Sequence, residues 1–159
     1  MTLIKKFLPI ILSLFCSVIF LDSLRFKFTN HPNTQEIFGR LNEWANSFGA
    51  GGLFGPSGLF SQYTIGVAEL FAAALLLLGL LPRFPRFQGL GALIGLCVMS
   101  GAISFHLFTP LGIDPNNDGG GLFVAACLVW LSCAILVAIN RKKVMTTLCQ
   151  IAGAIFAKA

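Results

Sequence analysis

The chain has 159 residues, of which 56% are hydrophobic and 11% are charged, and its mean hydropathy is +0.84. Soluble globular domains carry about 25% charged residues, so this composition excludes a soluble domain and predicts a single membrane domain. The formal net charge of +5 does not indicate nucleic-acid binding, because the basic residues flank apolar segments instead of forming a stripe with aromatic residues. We therefore expect the lipid bilayer as a partner and no nucleic acid.

Four apolar segments follow one another along the chain. They cover approximately residues 3–24, 61–81, 87–108 and 121–139. A helix of about 20 residues, with a rise of about 1.5 Å per residue, matches a hydrocarbon core about 30 Å thick. The pattern predicts an all-α fold, a four-transmembrane-helix bundle that occupies residues 1–143.

The positions of Lys and Arg predict the orientation of this bundle. One side of the membrane receives Lys5, Lys6, Arg83, Arg86, Arg141, Lys142 and Lys143, whereas the other receives Arg25, Lys27 and Arg40. Because cytoplasmic loops are enriched in positive charge, we expect a multi-pass protein of a bacterial-type inner (plasma) membrane with both termini in the cytoplasm. No small-x-small cleavage site follows the first apolar segment, so we interpret it as a retained span and not as a signal peptide.

The connection between the first two spans is predicted to contain an outer amphipathic interfacial helix at about residues 33–48. Apolar residues recur at three- and four-residue spacing in NTQEIFGRLNEWANSF, and Asn33 with Glu36 is typical of a capping box at the helix start. The helix is too short to span, and Trp44 suits the level of the lipid headgroups. We expect it to cover the mouth of the bundle.

Residues 144–159 are predicted to form a short cytoplasmic amphipathic tail after the basic cluster RKK. One helical face of this tail carries Val144, Leu148, Ile151 and Ile155. The segment is too short to span, and both an interfacial helix and a partner-docking tail fit the pattern.

The second span contains one carboxylate, Glu69, within the apolar stretch GVAELFAAALLLLGLL. On a helical wheel Glu69 shares a face with Gly66, Ala72 and Ala73, and small residues mark the surfaces where membrane helices pack closely. His106 lies near the outer end of the third span, on the same face as a GxxxG motif. We expect both side chains to point into the bundle, where ionisable residues usually have a function.

Further polar residues gather in the same outer half of the bundle. We predict that Glu69 and His106 are catalytic groups that handle protons, and that a ligand is bound by Arg25, Asp22, Lys27, Gln62 and Asp118. Arg25 or Asp22 would be the charge partner. The alternative is that these residues only fix the packing of the helices.

Three chemistries fit this set of residues. A carboxylate and an imidazole in an apolar pocket can exchange protons with a quinone or a similar carrier, or they can form a proton-coupled transport site. A metal site is disfavoured because no HxxxH or paired His/Cys spacing is present, and the five cysteines form no CxxC pair. No haem, flavin or iron–sulfur motif is recognisable, so electrons would come from a redox partner protein; the cofactor is unknown, with a quinone as the candidate.

Three stretches resemble the DoxX-like family of small four-helix integral membrane proteins. They are GVAELFAAALLLLGLLPRF, GLGALIGLCVMSGAISFHLFTPLG and DGGGLFVAACLVWLSCAIL, and the resemblance covers residues 22 to about 139. It implies that Glu69 and His106 occupy the acidic and His positions of the family, and that Lys27 corresponds to the basic residue after the first span. Some members resemble subunits of thiosulfate:quinone oxidoreductase and others accompany oxidative-stress systems, so the resemblance implies a redox-associated membrane role.

These observations lead to one main prediction and two alternatives. The main prediction is a protein that binds a quinone or another small apolar molecule in an outward-facing polar pocket; if it is an enzyme, it is a membrane quinone-linked oxidoreductase subunit. The alternatives are a non-catalytic accessory or assembly subunit of a membrane complex and, less favoured, a small proton-coupled transporter. Four spans leave little room for alternating access, so a transporter would need to form a homo-oligomer.

Overall fold

The computed structural model describes residues 3–156, which form five α-helices and no strand. The helices are α1 (Leu3–Phe28), α2 (Pro32–Asn46), α3 (Gln62–Leu78), α4 (Phe87–Phe108) and α5 (Gly121–Phe156). By length and apolar composition α1, α4 and α5 can cross a membrane, and α3 is a shorter apolar helix of 17 residues. This architecture confirms the prediction of an all-α membrane bundle.

The four apolar helices pack in a ring. Helix α3 packs between α1 and α4, and α5 packs between α4 and α1. Because consecutive helices of the ring run in opposite directions, α2 and the loop before α5 lie at one end of the bundle, which we call the α2 end. The start of α1 and the end of α5 lie at the opposite end.

Small residues bring the helices into close contact, as the sequence predicts. A Cβ atom on Gly91 would lie 2.8 Å from the backbone oxygen of Ala72, and one on Gly95 would lie 2.9 Å from Sγ of Cys133. The space is filled by a core of apolar side chains that includes Phe20, Leu76, Val129 and Leu136, all at most 1% exposed. The inward faces of α3 and α4 are therefore the faces that carry Gly and Ala.

The first helix extends one turn beyond the predicted end at residue 24. Arg25 forms an ion pair with Asp22 on the surface of this turn, with 3.0 Å between Nη2 and Oδ1, and Lys27 lies on the opposite side, toward α3. The helix can continue through residues 22–27 because each charged side chain there has a partner, either one turn away or on α3.

The start of α2 also differs from the expected capping box at Asn33. His31 is the N-cap, and its Nδ1 accepts a hydrogen bond from the backbone N–H of Asn33 at 3.3 Å. Pro32 occupies the first helical position, where its fixed φ suits the helix and its missing N–H costs nothing. The helix ends at Asn46, two residues before the predicted end.

The last helix is continuous as far as residue 156. Residues 144–156 of the predicted tail therefore extend α5 without a break. Neither glycine nor proline interrupts residues 122–152, and the helix passes through the basic cluster without a break. Asn140 and Val144 are buried and pack against Gly89 of α4, which holds this part of α5 on the bundle. The last three residues of the predicted tail, 157–159, lie outside the described residues.

A buried polar network joins three helices at the end of the bundle opposite α2. Nε2 of Gln88 donates to Oγ of Ser13 at 3.0 Å, and Nδ2 of Asn140 donates to Oε1 of Gln88 at 3.0 Å. Each of these buried amides therefore has hydrogen-bond partners within the protein. The apolar core lies between this network and the α2 end.

Candidate functional site

A cavity of about 440 Å³ lies at the α2 end, enclosed by α1, α3, α4 and α5 and covered by α2. Apolar side chains form most of its wall. The ionisable or hydroxyl-bearing side chains that line it, apart from the thiol of Cys97, are Ser23, Lys27, Glu69 and His106. The cavity is thus more apolar than the polar pocket that the sequence predicts.

Glu69 projects into this cavity from the middle of α3. It lies seven residues after Gln62, or about 10 Å along the helix, and the residue is 3% exposed. Its face of α3 also carries the buried Gly66, Ala72 and Ala73, so the carboxylate points into the bundle and not toward lipid.

The charge partner of Glu69 is Lys27, and not Arg25 or Asp22 as the sequence analysis expected. Nζ of Lys27 lies 2.9 Å from Oε2 of Glu69, and the side chains are 15% and 4% exposed. A buried carboxylate needs such a partner, because an uncompensated charge in an apolar interior costs several kcal/mol (about 3–5). The extra turn of α1 places the ammonium at the required position.

Ser23 completes the arrangement around the carboxylate. Its hydroxyl donates to Oε2 of Glu69 at 2.5 Å, and Nζ of Lys27 donates to Oγ of Ser23 at 3.2 Å. Ser23 and Lys27 are four residues apart and therefore lie on one face of α1. The three side chains form a closed set of hydrogen bonds that joins α1 to α3.

His106 contributes to the cavity from α4 and is 6% exposed. Its Nδ1 lies 2.6 Å from the backbone oxygen of Gly112. Since a carbonyl oxygen only accepts, Nδ1 carries the proton and donates, which fixes the tautomer of the neutral ring. Nε2 has no hydrogen-bond partner among residues 3–156, so it is available to a ligand.

Glu69 and His106 line the same cavity from neighbouring helices but make no hydrogen bond to each other. Each is held by its own partners, Glu69 by α1 and His106 by the loop before α5. A proton can therefore not pass directly between the two side chains in this arrangement. A bound molecule between them could contact both.

Helix α2 and the loop after it form the roof of the cavity. Ile37, Phe38 and Leu41 of α2 line it, together with Phe54 of the loop. Leu41 and Phe54 are each 3% exposed and pack with Leu111 in an apolar cluster separate from the main core. The amphipathic helix thus covers the bundle mouth with its apolar face, as its sequence pattern predicts.

The cavity also has a side that faces the lipid region. Cys97 of α4 and Leu122 of α5 both line it and are both exposed on the surface of the bundle. The wall of the cavity therefore includes residues that lie on the outer surface of the bundle.

The remaining predicted ligand-binding residues lie outside this cavity. Asp22 and Arg25 pair with each other on the surface, where their side chains are 59% and 69% exposed. Gln62 lines a different pocket beside the roof. None of these three side chains lines the apolar cavity, and Arg25 lies on the side of α1 opposite to Lys27.

Asp118 precedes the first turn of α5 and stabilises it. Its Oδ2 accepts from the backbone N–H of Leu122 at 2.9 Å, and its Oδ1 accepts from that of Gly120 at 3.0 Å. The N–H of Leu122 is the main cause of a pKa of Asp118 below its usual value, with desolvation opposing and further hydrogen bonds adding to the shift. Asp118 thus satisfies free N–H groups at the helix start.

The structure offers no obvious metal centre. Among residues 3–156, no group of three or more His, Cys, Asp or Glu side chains lies close enough together to hold a metal ion. The two fully buried thiols, Cys16 and Cys133, are 3.8 Å apart at Sγ and belong to the apolar core. This distance is well beyond the roughly 2.05 Å of a disulfide bond.

Sequence reasoning missed Ser23 and did not choose Lys27 as the partner of Glu69. A signal for both exists in the stretch DSLRFKF, where Ser23 and Lys27 have the i, i+4 spacing of one helical face. Asp22 and Arg25 have the i, i+3 spacing of a local pair. Reading the first helix through to Phe28 would have separated the surface pair from the inward pair.

Comparison with protein-family models identifies one match. The model described as DoxX matches residues 8–109, more than half of the chain. This range contains most of α1, all of α2 to α4 and all four polar side chains of the cavity. The comparison with curated proteins and the comparison with solved structures each returned no match.

Proposed function

The chain belongs to the DoxX family, and from this premise we propose that it binds a quinone or another small apolar molecule in the cavity at the α2 end. The role is redox-associated and located in a bacterial inner membrane. The observation that carries the proposal is an apolar cavity of about 440 Å³ with an ion pair and an imidazole in its wall. Ligand pockets of proteins typically measure about 300–1,000 Å³ and have this mixture of apolar walls and few polar groups.

The polar side chains suit a carbonyl-bearing ligand in particular. His106 has a free Nε2, which donates a hydrogen bond to a carbonyl oxygen when the ring is protonated. Lys27 brings an ammonium to the opposite part of the wall, close to Glu69, whereas the single O–H of Ser23 is already donated to Glu69. Reduction of a quinone consumes two electrons and two protons, and Glu69 and His106 are the titratable groups that would hold or release a proton beside it.

The largely apolar wall of the cavity supports an apolar ligand. Cys97 and Leu122 belong to this wall and are exposed on the outer surface of the bundle. The roof formed by Phe38, Leu41 and Phe54 keeps the polar face of α2 away from the ligand. Electrons would be supplied by a partner protein. We also propose that both termini lie in the cytoplasm.

Binding of a short-chain quinone tests the proposal. Purified protein in detergent is titrated with ubiquinone-1 in a calorimeter, and the same titration is made with Glu69→Gln and His106→Ala. Loss of one net hydrogen bond, about 1 kcal/mol, predicts a roughly five-fold weaker affinity for His106→Ala. Glu69→Gln acts through Lys27, whose ammonium loses its anionic partner, and should therefore also change the affinity.

Two variants outside the cavity serve as matched controls. Glu36→Gln removes a carboxylate from a surface ion pair with Arg40, and His31→Asn replaces a histidine while keeping a side chain suited to the N-cap. Both should bind ubiquinone-1 like the unmodified protein. Equal affinities in all five proteins would remove the roles assigned to Glu69 and His106.

A non-catalytic accessory or assembly subunit is the second candidate function. The observation that favours it is that Glu69 is already satisfied by Lys27 and Ser23, which join α1 to α3. In this case Glu69→Gln lowers the thermal stability of the protein, and ubiquinone-1 binds to neither form. Uptake of a solute into proteoliposomes that depends on a pH gradient would instead support a small transporter, which would work as a homo-oligomer.

A further inference from the structure

A second pocket lies on the other side of the roof. It measures about 270 Å³ and is enclosed by the end of α1, by α2, by the loop at residues 54–56 and by the start of α3. Four carboxamide side chains line it, and we call it the amide pocket; these are Asn30, Gln35, Asn42 and Gln62. It has no charged residue in its lining and shares only Phe38 and Phe54 with the apolar cavity.

The hydrogen bonds within the pocket leave acceptor oxygens without donors. Nε2 of Gln62 donates to the backbone oxygen of Lys27 at 3.0 Å and to Oδ1 of Asn30 at 2.9 Å, which uses both of its N–H bonds. Nε2 of Gln35 donates to the backbone oxygen of Asn30 at 2.8 Å. Because backbone oxygens can only accept, the orientation of both amides is fixed, and Oε1 of each is left as a free acceptor.

Asn42 adds a buried acceptor to this set. Its Oδ1 is buried and has no hydrogen-bond partner among residues 3–156. A buried polar atom without a partner costs about 1–3 kcal/mol, and such atoms are rare in folded proteins. Asn42 lines the pocket, and no hydrogen bond to residues 3–156 fixes its amide, so rotation about its Cβ–Cγ bond can turn the oxygen toward the open space.

We propose that the amide pocket is a second binding site, which takes a small uncharged polyol whose hydroxyl groups donate to the free oxygens of Gln62 and Gln35 and bind the unpaired amide of Asn42. A polyol supplies donors to the free amide oxygens, and its C–H groups can contact Phe38 and Tyr63. The absence of charged residues in the lining argues against an anion or a cation as ligand. The volume of the amide pocket, about 270 Å³, equals that of roughly nine water molecules at about 30 Å³ each. A polyol between glycerol and inositol in size fits this volume.

Two sources could provide such a ligand. The polyol is either a free molecule from the aqueous side or the glycerol headgroup of a membrane lipid, since the amide pocket lies at the end of the bundle where headgroups are expected. The site is independent of the ligand of the apolar cavity, because Phe38 and Phe54 separate the two spaces. Failure of ubiquinone-1 to bind would therefore leave this proposal intact.

Ligand-observed saturation-transfer NMR tests the free-polyol source. The protein is purified without glycerol in lauryldimethylamine oxide, a detergent without hydroxyl groups in its headgroup, and glycerol and myo-inositol are the probes. Asn42→Leu replaces the unpaired amide by a larger apolar side chain, and Asn46→Leu is the matched control one turn further along α2 and outside the lining. We expect a signal that is at least roughly five-fold weaker in Asn42→Leu, as for the loss of one net hydrogen bond, and unchanged in Asn46→Leu.

The lipid source is tested by native mass spectrometry of protein mixed with equal amounts of phosphatidylglycerol and phosphatidylethanolamine. Preferential retention of phosphatidylglycerol that disappears in Asn42→Leu supports a headgroup ligand. Asn42→Asp, which keeps the acceptor oxygens, should retain polyol binding within about two-fold. The proposal would be overturned if the unmodified protein showed neither a transfer signal nor a lipid preference. Equal binding by Asn42→Leu would overturn it as well, and the pocket would then hold only water.

Discussion

Replacing Lys27 by methionine removes the ammonium group that lies 2.9 Å from Oε2 of Glu69 and keeps a side chain of similar length. Glu69, only 4% exposed at its side chain, would retain a single donor, the hydroxyl of Ser23. Removing one partner of a buried ion pair typically costs about 3–5 kcal/mol. Since the side chain of Lys27 is 15% exposed and partly hydrated, we expect the lower end, about 3 kcal/mol.

A surface ion pair in the same chain provides the comparison. Arg40 and Glu36 are joined by a 2.6 Å contact on α2, and their side chains are 44% and 50% exposed. Exposed pairs contribute about 0–1 kcal/mol, so Arg40→Met should destabilise the protein by no more than that. The two substitutions each remove one cation from an ion pair and differ in the burial of the remaining carboxylate.

Unfolding in mixed detergent–SDS micelles, followed by the fluorescence of Trp44 and Trp130, measures both free energies. Adding Glu69→Gln to Lys27→Met should recover part of the loss, because a neutral amide no longer needs the ammonium. The expected coupling energy is about 1–3 kcal/mol. A Lys27→Met variant that is no less stable than Arg40→Met would refute the view that burial of Glu69 makes this pair important.

Further predictions concern the loop before α5, the helix contacts and the thiol of Cys97. The lowered pKa of Asp118 stabilises the fold above the pKa of the unfolded chain, about 4, and this contribution is lost as the pH falls toward the lower folded pKa; acid unfolding should show it, and Asp118→Asn should abolish that pH dependence. Gly91→Ala places a Cβ 2.8 Å from the backbone of Ala72 and should cost about 1–3 kcal/mol in thermal unfolding, whereas Gly39→Ala, with open space around it, should not destabilise. Cys97 lines the apolar cavity and is exposed, so its labelling by a small maleimide should slow when ubiquinone-1 is bound; an unchanged rate would argue against a ligand in contact with Cys97.

The helices of the bundle could be predicted well from the sequence because their signal is local. Runs of about 20 apolar residues separated by Gly, Pro and charged residues define α1, α4 and the first part of α5. Helix boundaries were less predictable where charges occur. The chain is helical through Arg25 and Lys27, and through the basic cluster at 141–143, since each region keeps good helix formers and contacts another helix.

The candidate site could be predicted only in part. That Glu69 and His106 point inward follows from their position on faces with small residues, and both are buried. The partner of Glu69 depends on the rotation of α1 against α3, which no local pattern in either helix contains. The same holds for the network of Gln88 with Ser13 and Asn140, whose members are far apart in the chain.

The sequence by itself determined the membrane class, the number of apolar helices, the amphipathic character of α2 and the inward faces of α3 and α4. These properties depend on hydrophobicity and helical periodicity, which act over a few turns of one helix. The tertiary structure alone decided that Lys27 neutralises Glu69, that Nε2 of His106 is left free, and that Phe38 and Phe54 separate an apolar cavity from the amide pocket. Those outcomes depend on how helices pack side by side, and the free energy of packing comes from contacts between residues distant in the chain.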